Sequence, residues 1–223
     1  LSDLTGRQWV LATSNRGKIA ELVAMLGPLG VTLRPQAELD IADADEPHAT
    51  FVENALAKAR HASRLASLPG LADDSGLCVP ALGGAPGVHS ARYAALLDVT
   101  DPGRLDPEML ALDREALDVA NNRRLIAAVR EAQPGRDEPV TAWYYCSIVL
   151  VAHAADPCPV IAEGVWPGRV VATPAGNGGF GYDPHFLVDG EEVTAAQLTL
   201  ERKNATSHRA RAIQRLVDAI ARR

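Results

Sequence analysis

The sequence predicts an α/β protein built on a mixed β-sheet flanked by helices. Two patterns predict it. A strand, a helix and a second strand succeed one another within residues 8–34, and adjacent strand candidates crowd residues 140–188. The composition agrees, since 223 residues that are 47% hydrophobic and 22% charged match a globular chain and disfavour wholesale disorder. That length suits one large domain or two small ones. No internal repeat appears, and no linker is long enough to make two domains obligatory.

Residues 8–13 (QWVLAT) read as a buried strand running into a polar turn. Ile19, Leu22, Val23, Leu26 and Leu29 then recur at helical spacing, with Ser14 or Asn15 as the cap and residues 27–30 as the stop. Residues 31–34 form a second strand, followed by a loop with five carboxylates between Glu38 and Glu46. Thr50 and Glu53 have capping-box spacing at the head of a helix whose Phe51, Ala55, Ala59 and Ala62 offer a small-residue face. Pro69-Gly70 is expected to stop that helix, and residues 71–73 to form a short strand entering Asp74-Ser75-Gly76. Residues 79–88 hold too much Gly and Pro for regular structure, and residues 107–132 read as a polar helix broken near Asn121-Asn122. A loop at 135–139 precedes the longest strand, 140–153, with 160–165 and 169–172 as separate successors. A glycine-rich turn at 176–183 enters a strand at 186–188. The chain closes with a helix carrying Ile213, Leu216, Val217 and Ile220.

Charge and cysteine content narrow the function. The 22 Lys and Arg against 28 Asp and Glu leave a net charge of −6, which argues against stable nucleic acid binding but not against a small anionic substrate. Cys78, Cys146 and Cys158 form no CxxC pair, as expected of a reducing, cytoplasmic setting. No apolar run reaches the ~20 residues of a membrane span, and residues 1–10 hold no signal-type core.

Four segments can carry chemistry. Thr13, Ser14, Asn15, Arg16, Gly17 and Lys18 sit between a strand and a helix, where free N–H groups and the helix dipole favour an anion. An ordinary N-cap beside a solvated lysine is the other reading. Asp73 and Asp74 end a hydrophobic strand on alternating faces, one toward solvent or a sheet edge and the other into a cleft, and an aspartate at a strand end suits Mg²⁺ and can take a proton from water. An Asx-turn competes with that reading, and Glu46 is a possible second ligand. Residues 178–184 (GGFGYDP) put flexible backbone beside Phe180 and Tyr182, which can stack on a flat ring, and Asp183, which can accept from ring or sugar donors. A plain glycine-rich hairpin is the alternative. Ser207 caps the last helix, setting His208 and Arg209 against its dipole until an anion reverses the sign, with Lys203 reaching in from the preceding loop. No GxSxG elbow or HExxH spacing exists, Cys78 and Cys146 read as core thiols, and Trp143-Tyr144-Tyr145 reads as sheet packing.

In series, TSNRGK, FVENALAKAR, ADDSGL, ALGGAPGVHSARY, GGFGYDP and KNATSHRA closely resemble the inosine triphosphate pyrophosphatase family across residues 9–220. The resemblance implies an elongated mixed sheet flanked by helices. It implies a single domain over residues 1–223, with two lobes around a central cleft as its variant, and a homodimer. It also implies a magnesium-dependent enzyme that splits ITP, dITP or XTP into the monophosphate and pyrophosphate, clearing deaminated purines from the nucleotide pool. By position, residues Thr13 to Lys18 would hold the triphosphate and Lys58 would add a phosphate contact. Glu46 and Asp74 would bind Mg²⁺, with Asp74 also accepting the proton, and Ser75 would touch substrate. Phe180, Gly181, Tyr182 and Asp183 would surround the base, and Lys203, His208 and Arg209 would help recognise base and phosphate. The stretch from about 95 to 139 is longer than the family usually has there. A Maf-like pyrophosphatase for another modified nucleotide and a non-catalytic nucleotide sensor are the competing readings. Intact Glu46 and Asp74 weigh against the sensor.

Overall fold

A computed structural model describes residue 6 and residues 8–98, 103–135 and 138–222. Its elements in chain order are β1 (Gln8–Leu11), α1 (Arg16–Leu26), β2 (Thr32–Pro35), α2 (Phe51–Ala66), β3 (Gly70–Cys78), α3 (Pro107–Leu110), α4 (Arg114–Ala132), β4 (Val140–Val151), β5 (Val160–Val170), β6 (Phe186–Val188), α5 (Leu200–Thr206) and α6 (His208–Ala221). The strands form a six-stranded sheet in the order β2-β1-β3-β4-β5-β6. β2, β1 and β3 run parallel and β6 runs antiparallel to β5, so the expected mixed sheet is present. No helix among the described residues is long and apolar enough to cross a membrane.

The described residues group into two compact units, and β3, β4 and β5 each contribute to both. The first comprises Leu1–Ser75, Tyr145–Val165 and Asn204–Arg223. Here the period-two alternation of the strands sorts side chains into two layers. Trp9, Leu11, Leu71, Ile148 and Leu150 pack with Leu22 and Leu26 of α1 and with Ala212, Ile213 and Leu216 of α6. The intervening Val10, Ala12, Ala72, Val149 and Val151 pack against Ala55, Ala59 and Ala62 of α2. Small side chains on that helix let the strand backbone approach closely. A Cβ on Gly70 would lie 2.3 Å from the Ala59 carbonyl oxygen.

The second unit comprises Gly76–Tyr144 and Trp166–Lys203. Its core joins Leu77, Val79, Leu125, Val140, Trp166 and Val188 around the rings of Tyr144 and Phe186, whose centroids lie 4.6 Å apart. Arg124 of α4 donates to the carbonyls of Tyr93 and Leu96 and covers the Tyr93 ring at 4.8 Å. These contacts fasten the 3-10 segment Gly87–Ala95 to the helix.

Several elements differ from the sequence expectation. α2 ends at Ser67, which takes the left-handed conformation (φ 54°), and Gly70 already belongs to β3. Asp73-Asp74-Ser75-Gly76 is no turn. It lies inside a nine-residue strand, because both carboxylates find cations on their own faces. The helical region breaks at residues 111–113, where Asp113 caps α4, and not at Asn121-Asn122. Asn121 bridges the Ala94 N–H and the Ala91 carbonyl, which uses its amide without cost to the helix. β5 is one continuous strand through Pro167-Gly168, where a Cβ on Gly168 would sit 2.5 Å from the Leu187 carbonyl. Residues 79–88 contain a short 3-10 turn, Pro80–Leu82. Lys203 stands on helix α5 and not in a loop. Of the expected loop at 135–139, residues 136 and 137 lie outside the described residues, as do residues 1–5, 7 and 99–102.

Gly164 shows how tightly β5 and α6 are fitted: a Cβ there would lie 1.9 Å from the His208 carbonyl oxygen and 2.7 Å from the Ala212 nitrogen. Gly164→Ala is expected to destabilise the protein by about 1–3 kcal/mol, read as a lowered urea midpoint.

Candidate active site

Alternation along β3 decides what each aspartate meets. Asp73 falls on the Leu71 face, toward α1 and α6, and Asp74 on the Ala72 face, toward α2. Both are buried, at 1% and 5% exposure, so neither turns to solvent or a sheet edge as the sequence suggested.

Asp73 Oδ2 receives Lys18 Nζ at 3.1 Å and Arg209 Nε and Nη2 at 3.2 and 3.0 Å. Arg209, itself buried, gives Nη1 to Glu21 and Nη2 also to Ser75 Oγ at 2.9 Å. The anion that compensates Arg209 in the first turn of α6 is thus internal. Burial works against ionised Asp73, but Lys18 and Arg209 outweigh it and hold the carboxyl well below the usual carboxylate range. For Arg209, burial opposes the charge, and Asp73 and Glu21 overcome it and hold the guanidinium protonated.

On the opposite face, Lys58 Nζ lies 2.6 Å from Glu46 Oε1 and 3.2 Å from Asp74 Oδ1. Two carboxylates from distant segments therefore meet at one ammonium. Burial tends to neutralise Lys58, but Asp74 and Glu46 reverse the effect and its pKa is raised. Asp74 is shifted upward chiefly by burial, with Lys58 opposing. Asn54 orders this corner. It donates to Asp74 Oδ2 at 3.3 Å and to the His48 carbonyl at 3.2 Å, and accepts from the His48 N–H at 3.0 Å. These bonds hold the segment just after Glu46 against α2.

The loop before α1 is built as a cap. Asn15 Oδ1 accepts from the Lys18 N–H at 3.1 Å, and Thr13 Oγ1 accepts from the Asn15 N–H at 3.2 Å. Ser14 donates to Asp43 at 2.7 Å, while Gln36 donates to the same carboxylate. Ser14 and Arg16 are exposed, and Gly17 and Lys18 are half-buried. Lys18 is paired with Asp73 rather than solvated. At the head of α6, Ser207 Oγ accepts from the Ala210 N–H at 3.3 Å and His208 is buried.

In the second unit, buried Asp183 accepts from Lys203 Nζ at 2.6 Å, the Phe180 N–H at 3.0 Å and the Tyr144 hydroxyl at 3.2 Å. Lys203 Nζ also lies 4.7 Å from the centroid of the half-buried Phe180 ring. Burial raises the Tyr144 hydroxyl well above its ordinary pKa, with Asp183 adding to the shift, so it stays protonated as donor. The Tyr182 ring is buried in the core and its hydroxyl donates to the Ser90 carbonyl at 2.8 Å. Of the two rings, only that of Phe180 is left partly exposed. Gly181 gives its N–H to Asp118 and takes the Asn122 amide on its carbonyl.

Cys78 and Cys146 are core thiols, pushed up by burial to about 11 and about 12. Among the described residues no group of three or more His, Cys, Asp or Glu could hold a metal ion. Glu46 and Asp74, which both reach the Lys58 ammonium, are the two carboxylates that could hold a cation. That donor set suits Mg²⁺, which keeps waters and takes remaining ligands from phosphate. Sequence reasoning assigned no role to Glu21, Asn54, Tyr144, Asp118 or Asn122, and none to Asp73 beyond its place beside Asp74. For Asp73 the signal was present, since adjacent aspartates on a strand need separate partners. For the others no spacing marks the contact.

A mixed sheet whose strand β3 sets Asp73 against Lys18 and Arg209 on one face and Asp74 against Lys58 on the other defines an α/β protein with a buried, charge-paired polar cluster. The chain belongs to the Ham1 family, whose profile matches residues 9–219. It is 55% identical over 214 residues to a dITP/XTP pyrophosphatase of Ralstonia nicotianae, covering 96% of each chain. It is 49% identical over 212 residues to one of Nitrosomonas europaea, covering 95% of this chain and 93% of the relative. Among solved structures, a HAM1 protein from Coxiella burnetii matches with TM-score 0.79 and 38% identity, covering 97% of this chain and 99% of that one.

Because the Asp73 carboxyl ionises below its ordinary range, its stabilisation is complete above about pH 4 and shrinks as pH falls below that. Asp73→Asn should cost about 3–5 kcal/mol at neutral pH and flatten the acid limb of a stability–pH curve.

Proposed function

We propose that this protein hydrolyses ITP, dITP and XTP to the monophosphate and pyrophosphate, removing deaminated purine nucleotides from the pool. The observation that carries the reading is the meeting of Glu46 and Asp74 on Lys58, in the unit that also places Lys18 in the first turn of α1. The relatives named dITP/XTP pyrophosphatases, matched over nearly the whole chain, supply the substrate class.

The polyphosphate is read by the N-terminus of α1, through the helix dipole and the loop from Thr13 to Lys18, with the ammonium of Lys58 on α2 as a further contact. Such a reaction is driven mostly by positioning and charge stabilisation. Glu46 and Asp74 would hold Mg²⁺, which when bound neutralises phosphate charge and orients oxygens. Asp74 accepts a proton as a water oxygen attacks phosphorus, and the bridging P–O bond breaks with pyrophosphate leaving. Its burial-raised pKa makes it a stronger base than an exposed aspartate. Near Phe180, the Lys203 ammonium donates to a 6-keto oxygen, whereas an adenine amine would meet it donor to donor. A buried unpaired group costs about 1–3 kcal/mol, enough to sort keto from amino purines. The reading includes a homodimer, drawn from the resemblance of the motifs, and a cytoplasmic setting, drawn from the cysteine usage.

The direct test is pyrophosphate release from ITP, XTP, dITP, ATP and dUTP with and without Mg²⁺. Release is expected only with the metal, and preferentially from the 6-keto purines. Asp74→Asn should leave a folded protein with turnover lowered at least ~10²-fold. Glu46→Gln should raise the Mg²⁺ concentration needed for half-maximal rate.

A further inference from the structure

We propose that Asp118 and Asn122 of α4 are positioning residues for base recognition, acting through the Gly181 peptide to hold the Phe180 ring. The inference rests on the reading of Phe180 as the stacking face. One helical turn separates the two side chains, so both lie on one side of α4. Asp118 Oδ2 accepts from the Gly181 N–H at 2.8 Å, and Asn122 Nδ2 donates to the Gly181 carbonyl at 2.8 Å. Both polar groups of a single peptide residue are therefore taken by one helix.

The loop needs such a clamp because of its composition. Gly179 and Gly181 have φ of +73° and +63°, which other residues rarely adopt. A Cβ on Gly179 would also lie 1.9 Å from Asp183 Oδ2, so that glycine is required by space as well. Glycine-rich backbone loses much entropy on ordering, and a loop left loose would bear that cost whenever a base bound. The clamp orders it beforehand, which favours binding without new ligand contacts. Asp183 anchors the same loop at the Phe180 N–H, so anchored groups flank the ring on both sides. Asp118 is itself oriented by Arg114, 3.1 Å away one turn earlier.

The test compares Asn122→Ala, Asp118→Ala, Asp118→Asn and Arg114→Ala by steady-state pyrophosphate release from ITP, inhibition by inorganic tripolyphosphate, and thermal melting. Removing either clamp member should raise KM for ITP about tenfold. It should leave kcat within about twofold, as expected when binding common to ground and transition states is lost. Tripolyphosphate, which has no base, should inhibit every variant equally. Asp118→Asn keeps an acceptor for the Gly181 N–H and should hold KM near that of the unmodified protein, whereas Arg114→Ala, which removes only the orienting ion pair, should raise KM less than Asp118→Ala does. Asn122→Gln, which displaces the donor by one methylene, serves if Asn122→Ala fails to fold. Unchanged KM in the Ala variants with only a lower melting temperature would overturn the proposal. Loss of tripolyphosphate inhibition along with ITP affinity would do the same, since it points to general disruption. Absence of pyrophosphate release from ITP by the unmodified protein would instead bring down the functional reading, and the inference with it.

Discussion

Two carboxylates side by side in a buried strand can persist only if each meets a cation on its own face. Removing a charge from water without a partner costs several kcal/mol, and the chain resolves this for Asp73 and Asp74 in different ways. Asp73 is enclosed by Lys18 and Arg209 and is held ionised. Asp74 shares Lys58 with Glu46 and is shifted toward protonation. The first arrangement ties β3, α1 and α6 into one framework. The second leaves a carboxylate that shares its cation with Glu46. The pleat of the strand thus gives neighbouring residues different electrostatic surroundings, and the proposed reaction assigns its chemistry to Asp74.

Much of the fold was legible because hydrophobic period and caps are local signals. Thr50, Asn15 and Ser207 cap helices as their sequence context suggests. The misplaced boundaries share a physical cause. Asp73-Asp74 reads as the end of a short strand until its cations arrive from residues 18, 58 and 209, and β3 then continues to Cys78. Asn121-Asn122 reads as a helix breaker until both amides are found bonded to segments outside the helix. Pro167-Gly168 reads as a strand end, yet the missing Cβ is what admits the Leu187 carbonyl. Tertiary partners overrode local preference in each case.

The site was legible in a similar pattern. Lys18, Asp74, Asp183 and Lys203 stand out as candidates from their strand-to-helix, strand-end, glycine-rich and helix-start contexts, where charge is costly without a partner. Lys58 is marked only by the family resemblance, and Glu46 only by its partners. Which of them touch was not legible. The Lys203–Asp183 pair and the sharing of Lys58 emerge only from packing. Supporting residues such as Asn54, Tyr144 and Glu21 are ordinary helix and strand residues in sequence. They become informative once burial requires their polar atoms to be satisfied.

Thiol placement has a practical side. Cys78 and Cys146 are buried, the latter with its ionisation pushed up to about 12, whereas Cys158 is exposed. The thiolate is the nucleophile that adds to a maleimide, so under native conditions such reagents should find a single reactive handle on this polypeptide. A fluorophore or spin probe attached there would sit on the turn between β4 and β5, without a cysteine-free background having to be engineered first.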